Sequence, residues 1–427
     1  MIDALFGLAA KIASEVLPFA GVVMLGGIAW KFWLHYIRQD FISGITYVML
    51  EVVPPREVLR SPKAMELFLT NALYHYSNKG GKEEYWQGAV WFWHSLEIVS
   101  IEGQVHFYIR TPTRLKEYVE TQMYAQYPQA QIRVVEDYTL AVDEITPQSE
   151  WNLWGCEFQL EKPEAYLIKT YVDFGLDKDP DEEFKVDPLS PVVELFGSIK
   201  KGEQMWVQFV VRPSKVEYHT HGTWFGKHDW VAEAQNEIEK LMEKYALSNV
   251  IEGSTEKKTR PPYAMEPTIK GMTTKITKLG FDTGIRVCYV AKKDAWDLNN
   301  RRNIRMIFRQ YNNPLVNSLV RKNSTQADAF GSIFTISDKK VMVLANRMLT
   351  EYRERSFFYL PMRHHLAAYL PWPISPTFFM KYFHPHTMVL NVEELATLWH
   401  FPGQILKVPT LERIESKEAA PPTNLPL

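Results

Sequence analysis

Two cysteines in 427 residues, Cys156 and Cys288, are too few for a disulfide framework, and a reducing compartment fits that scarcity. The phosphate-binding loop of nucleotide hydrolases is missing. That loop aims backbone N–H groups and a lysine at phosphates, and neither Lys79–Lys82 nor Gly271–Gly280 reproduces it. No GxGxxG follows a strand-like run. His219 and His221 are two apart, as are His384 and His386, while His364 and His365 are adjacent. None falls into HExxH and no cysteine pair joins them, so the spacing of a zinc site is lacking. No GxSxG elbow singles out a nucleophile. A strong charge of either sign is lacking too. The formal net charge is −2, which removes any whole-chain argument for nucleic acid and leaves only local patches. These absences point away from an enzyme, and they yield no catalytic, cofactor-binding or metal-binding residue.

Long apolar runs are scarce as well, with one exception. Val16–Ile37 reads VLPFAGVVMLGGIAWKFWLHYI, with Lys31 as its only residue charged at neutral pH. A spanning helix needs ~20 apolar residues. The run from Val16 to Trp30 has to continue through Phe32, Trp33, Leu34, Tyr36 and Ile37 to reach that length. Trp30, Trp33 and Tyr36 suit a membrane interface, and Lys31 near one end suits a headgroup. The expectation is a single-pass transmembrane anchor over 1–40 in the cell inner membrane. Lys31, His35 and Arg38 on its C-terminal side place the bulk of the chain in the cytoplasm. The plainer reading is a buried helix of a soluble domain.

The remainder has the composition of a folded body, with 46% hydrophobic and 13% aromatic residues. Phe41–Val53 is strand-like and closed by Pro54 and Pro55. Ser61 and Pro62 open a helix. Trp91–Ser100 and Gln104–Arg110 form a hairpin around Glu102–Gly103. A helix follows from Thr111 to Pro128, then a short strand at Ile132–Val135. The order suggests a small α+β sandwich with helices on one face of a sheet. Val192–Ile199, Gln204–Val211, Ile285–Val290 and Leu298–Tyr311 repeat the theme around a long insertion. The expected fold class is therefore α+β, an N-terminal transmembrane helix followed by degenerate duplicated α/β sandwich modules. Their bounds are 41–175 for the first and 189–345 for the second. An aromatic and basic segment with a proline-rich connector fills 346–427. Glu252–Pro267 reads as a flexible loop.

Two basic stretches carry binding chemistry. In Arg301–Lys322, Arg302, Arg305 and Arg309 are spaced to share a helix face and meet phosphates of DNA or an anionic membrane, or else simply to be solvated. Arg347–Arg363 interleaves arginine with aromatics, which fits single-strand binding or an interdomain seam.

Thr387–Leu427 carries family information in Leu390–Asn391, Glu393–Leu398, His400–Gly403 and the tail from Pro409 through Pro426. Upstream, Ser61–Glu66, Ile109–Pro112, Tyr124–Pro128 and Glu136–Tyr138 add to it. The chain resembles the N-terminal, membrane-anchored, non-motor region of type IV secretion and conjugation ATPases of ultrareduced bacteria. In those relatives the proline-rich tail leads into a motor domain, and here the sequence stops at Leu427. The resemblance thus implies a membrane-tethered, non-catalytic scaffold of a translocation system that positions a separately encoded or missing ATPase. Membrane, motor, DNA and further copies of the chain are the partners it allows. Leu395, Leu398, Trp399 and Phe401 would present the docking patch for the motor, unless these rings pack back onto the chain's own last domain. The alternative function is nucleic-acid binding through 301–322 and 347–363.

Overall fold

The structure is a computed structural model that describes residues 2–55, 60–75, 79–177, 187–215, 217–219, 227–248, 266–326, 338–359 and 387–403. Helix α1 (Ile2–Ser43) opens the chain. Its apolar run gives way to Lys31, His35, Arg38, Gln39 and Asp40 while the helix continues. Among the described residues no helix is long and apolar enough to cross a membrane. The expectation of a transmembrane helix is corrected accordingly.

The chain continues through β1 (Tyr47–Val53), α2 (Pro62–Leu73), α3 (Gly81–Tyr85), β2 (His94–Ile101), β3 (Gln104–Pro112), α4 (Lys116–Gln126) and β4 (Gln131–Val135). A second run follows: β5 (Trp151–Leu160), α5 (Ser190–Gly197), β6 (Glu203–Pro213), β9 (Gly280–Lys292), α8 (Leu298–Asn303) and β10 (Leu319–Lys322). Between β6 and β9 lie a small hairpin, β7 (Glu217–His219) with β8 (Lys227–Asp229), and the helices α6 (Trp230–Ser248) and α7 (Glu266–Thr277). Then come α9 (Asp338–Glu354), β11 (Met388–Asn391) and α10 (Val392–Leu398).

Two compact units result. Of the described residues, the smaller holds 2–46, 79–91 and 359. In it Trp30 stacks on Tyr85 at 6.1 Å, Trp33 meets Trp86 edge-on at 6.2 Å, and Arg38 lies 3.6 Å from Glu84. Gly88 has φ +65, and a Cβ there would sit 2.3 Å from the Ile37 carbonyl oxygen. Only glycine fits that approach to α1.

The larger unit holds one antiparallel sheet in the order β10-β5-β9-β6-β2-β3-β1-β4, with β11 added at the start of β9. Each half runs strand–helix–strand–strand–helix–strand, and the order of each half mirrors the other about the β2–β6 seam. This is the ferredoxin-like arrangement, made twice and fused along one edge. The second half begins at β5, so the boundary falls before Trp151 rather than at residue 175. The turn between β2 and β3 has Glu102 at φ +53 and Gly103 at φ +88, as a two-residue hairpin loop demands.

Along each strand alternate residues go to opposite faces. One face carries Leu50, Leu96, Phe107, Val207, Phe209 and Val287 into a core with α2, α4, α5 and α10. On the other face Met49, Tyr108, Trp206 and Cys288 pack under Met348, Leu349 and Tyr352 of α9. Both faces of β6 and β9 are thus covered, and nearly every residue of the two strands is buried. The loop 249–265, Arg363, His364, His365, His384 and His386, and the tail after Gly403, lie outside the described residues.

Candidate functional site

Register places one polar row across all eight strands of the main path. Its members are Arg133, Glu51, Tyr108, Glu97, Gln208, Arg286, Glu157 and Lys322, each opposite the next. The side-chain period of two puts them all on the α9 face. A buried charge is costly unless it is paired and hydrogen-bonded, and the central members are both. Glu97 is fully buried. It accepts from Arg355 at 3.0 and 3.2 Å, from the Tyr138 hydroxyl at 2.7 Å and from Gln208 Nε2 at 3.0 Å, and Ser95 bonds it as well. Arg286 reaches Glu157 at 3.1 Å, Glu351 at 3.0 Å and the Ser356 carbonyl at 2.9 Å. Its guanidinium lies 3.7 Å from the Phe357 ring centroid. That ring occupies the place of a side chain on Gly284, where a Cβ would come within 2.3 Å of it. Burial pushes the Glu157 carboxyl up against the pull of Arg286.

This network absorbs the second basic stretch. Arg347 pairs with Glu351 at 2.9 Å, Arg353 donates to the Thr139 and Val142 carbonyls, and Arg355 bridges Glu97 and Asp137. These described arginines of 347–363 are held within the fold and are not presented to an outside strand.

A second set of charges fixes the C-terminal segment on the opposite face. Asn391 and Glu394 form a capping box at the start of α10. The Lys275 ammonium sits 2.9 Å from Glu394, with both side chains fully buried, so the two charges compensate each other. Lys278 joins Glu66 at 2.7 Å to Glu393 at 2.8 Å. His400 Nε2 lies 3.2 Å from Asp187, and the Leu189 amide donates to the same carboxylate at 2.8 Å. Burial would raise the Asp187 carboxyl, but His400 and the Leu189 and Gly403 amides outweigh it and hold the group below its usual value.

The four residues expected to dock a motor belong to this segment. Leu395, Leu398, Trp399 and Phe401 are all buried, Trp399 completely. Phe401 meets Phe107 at 5.4 Å and Tyr127 at 5.0 Å, and Trp399 Nε1 donates to the Glu97 carbonyl at 3.4 Å. As placed, the rings are part of this chain's own core, which corrects the docking patch.

The first basic stretch is arranged differently from expectation. The α-helix stops at Asn303, and two 3-10 turns, Ile304–Met306 and Arg309–Tyr311, replace a single long face. Arg302 is exposed and Arg305 half-buried over Trp154, 5.4 Å from its ring centroid. Arg321 on β10 stands opposite Phe158, hence on the helix side of the sheet, whereas Lys322 stands opposite Glu157 on the other. Burial and then Arg321, Arg301 and Arg302 lower the Arg305 pKa, so four guanidinium groups share one neighbourhood. Arg309 is not among those charges. The single helix face that sequence spacing assigned to Arg302, Arg305 and Arg309 is therefore not formed.

Among the described residues there is no cluster of three or more His, Cys, Asp or Glu able to hold a metal. Residues 46–412 match a family described as a domain of unknown function, DUF8128. The chain belongs to this family. The DUF8128 match spans every strand of the sheet and α10, and leaves α1 outside. No curated protein matches the chain.

Proposed function

We propose that this DUF8128 chain is a non-catalytic scaffold of a translocation assembly of the type IV secretion and conjugation kind, where it positions an ATPase motor. The observation that best supports this reading is the buried network around Glu97, Arg286 and Arg355. It links both halves of the sheet to α9 and spends the ionisable groups on one another, which makes a stiff platform rather than a reaction centre. The resemblance of 387–427 to the region before a motor domain supplies the class of partner. In this reading the assembly, rather than a span of the chain's own, brings it to the inner membrane. The motor meets surfaces other than Trp399 and Phe401.

The test is co-expression of the full chain with the motor of the same translocation system, followed by size-exclusion chromatography. Co-elution is expected, with no nucleotide turnover by the chain alone. Separate elution would overturn the partner. Turnover that follows the chain through successive columns would overturn its non-catalytic role.

A further inference from the structure

The corner where α2 ends against the first strands carries an inference that does not depend on the scaffold reading. His75 follows α2 by two residues, and His94 opens β2. Their ring centroids lie 6.2 Å apart with the planes at 44°, and Tyr118 of α4 closes on His75 at 5.4 Å. His94 is 1% exposed, so its ring has left water altogether.

Each ring keeps one buried nitrogen without a hydrogen-bond partner among the described residues, Nε2 in His75 and Nδ1 in His94. His75 donates to the Ala72 carbonyl. With Nε2 unpartnered, that donor is Nδ1–H, which leaves a bare lone pair on Nε2. Metal-binding histidines are oriented in the same way, by a carbonyl on the other nitrogen. Burial pushes both imidazoles below their ordinary pKa, His94 to about 3, so both are neutral at pH 7 and able to give a lone pair. A buried acceptor left unmade costs free energy, and two of them close together are relieved by one Lewis acid.

Spacing and charge select the ion. Imidazole suits zinc, copper and nickel. A ring centroid stands roughly 3.2 Å from an ion held at ~2.0 Å, so a tetrahedral ion would bring two centroids to about 5.2 Å and a near-linear one to about 6.3 Å. The observed 6.2 Å fits the near-linear geometry, which monovalent copper adopts with two ligands and four-coordinate zinc does not. The surroundings agree. Arg114 acts on His75, and no carboxylate is among the described groups that act on either ring, so one positive charge is tolerated better than two. We propose that His75 and His94 form a binding site for a monovalent copper ion.

Anaerobic titration of the full chain with Cu(I) against the chromophoric chelator bicinchoninate tests it. One ion per chain should leave the chelator, and its X-ray absorption should show nitrogen ligands at about 2.0 Å without sulfur. His75 is half-buried, so His75→Phe keeps the ring and the fold while removing one ligand. Affinity should then fall more than about 100-fold, beyond the loss of an outer partner. Cu(I) should raise the Tm of the parent and leave that of His75→Phe unchanged. His106→Gln, which replaces a histidine paired with Glu51 elsewhere on the sheet, should bind copper as the parent does. No uptake by the parent would overturn the site, as would equal uptake by parent and His75→Phe or sulfur in the absorption spectrum. Tighter binding of zinc than of Cu(I) would overturn the choice of ion.

Discussion

Glu97 and Gln208 stand directly opposite each other at the seam where the two halves of the sheet meet, and Gln208 Nε2 donates to Glu97 Oε1 at 3.0 Å. They occupy equivalent places in the two repeats, as do Glu51 and Glu157, yet their chemistry differs. Two carboxylates at this point would face each other in a dry interior, where like charges cannot both ionise cheaply. An amide turns that repulsion into a hydrogen bond and gives a second one to the Tyr352 carbonyl at 3.0 Å. The seam thus joins two similar halves by making one position dissimilar.

Gln208→Glu should therefore lower stability by about 3 kcal/mol at neutral pH, the scale of an uncompensated buried charge. The sign with pH is fixed. A carboxyl whose folded pKa is raised above its unfolded value loses stability as pH rises and regains it as pH falls. Urea unfolding of the variant at pH 7 and near pH 5 should show the deficit shrinking in acid. A deficit that is the same at both would point to steric misfit instead. Glu97→Gln, which strips Arg355 of its main partner, should cost a similar amount at pH 7.

Asp187 gives the opposite sign. Its carboxyl is held below the ordinary carboxylate pKa, so its contribution is full above that value and is lost as pH falls through the depressed one. Asp187→Asn should cost roughly 1.5–3 kcal/mol at pH 7, the worth of hydrogen bonds to a charged group. The gap between variant and parent should narrow below about pH 4. A gap constant down to acid pH would mean that packing, not charge, makes the link between Asp187 and His400.

Much of the first half of the sheet was legible in the sequence because its signals are local. Ser61–Pro62 starts α2, Glu102–Gly103 turns the hairpin, and alternation marks β2 and β3. Strand β5 was not legible. Both of its faces are covered, so Leu153–Phe158 is buried without interruption and period two disappears. The seam and the polar row were hidden for another reason. Glu97, Gln208 and Arg286 are far apart in sequence, and only register brings them together. The α1 segment misled because its aromatic residues look the same whether they face lipid or meet Tyr85 and Trp86. The arginine row misled because an ideal helix was assumed through Arg309, whereas the chain tightens after Asn303.

Trp399 and Phe401 close the argument about the C-terminal segment. Both are buried against Phe107, which lies on the same face of the sheet as α2 and α4. Replacing a buried aromatic with alanine removes its transfer free energy and leaves a cavity, typically ~3–5 kcal/mol. Trp399→Ala should approach that loss, since its indole also donates to the Glu97 carbonyl beneath the network. Phe401→Ala should cost somewhat less, because its ring is smaller and carries no polar group bonded to the backbone beneath it. The two rings touch at 5.7 Å, so the double variant should lose less than the sum of the singles. Thermal and urea unfolding of the isolated chain measure all three. Parent-like stability in both singles would return the rings to the surface and reopen them as an interface.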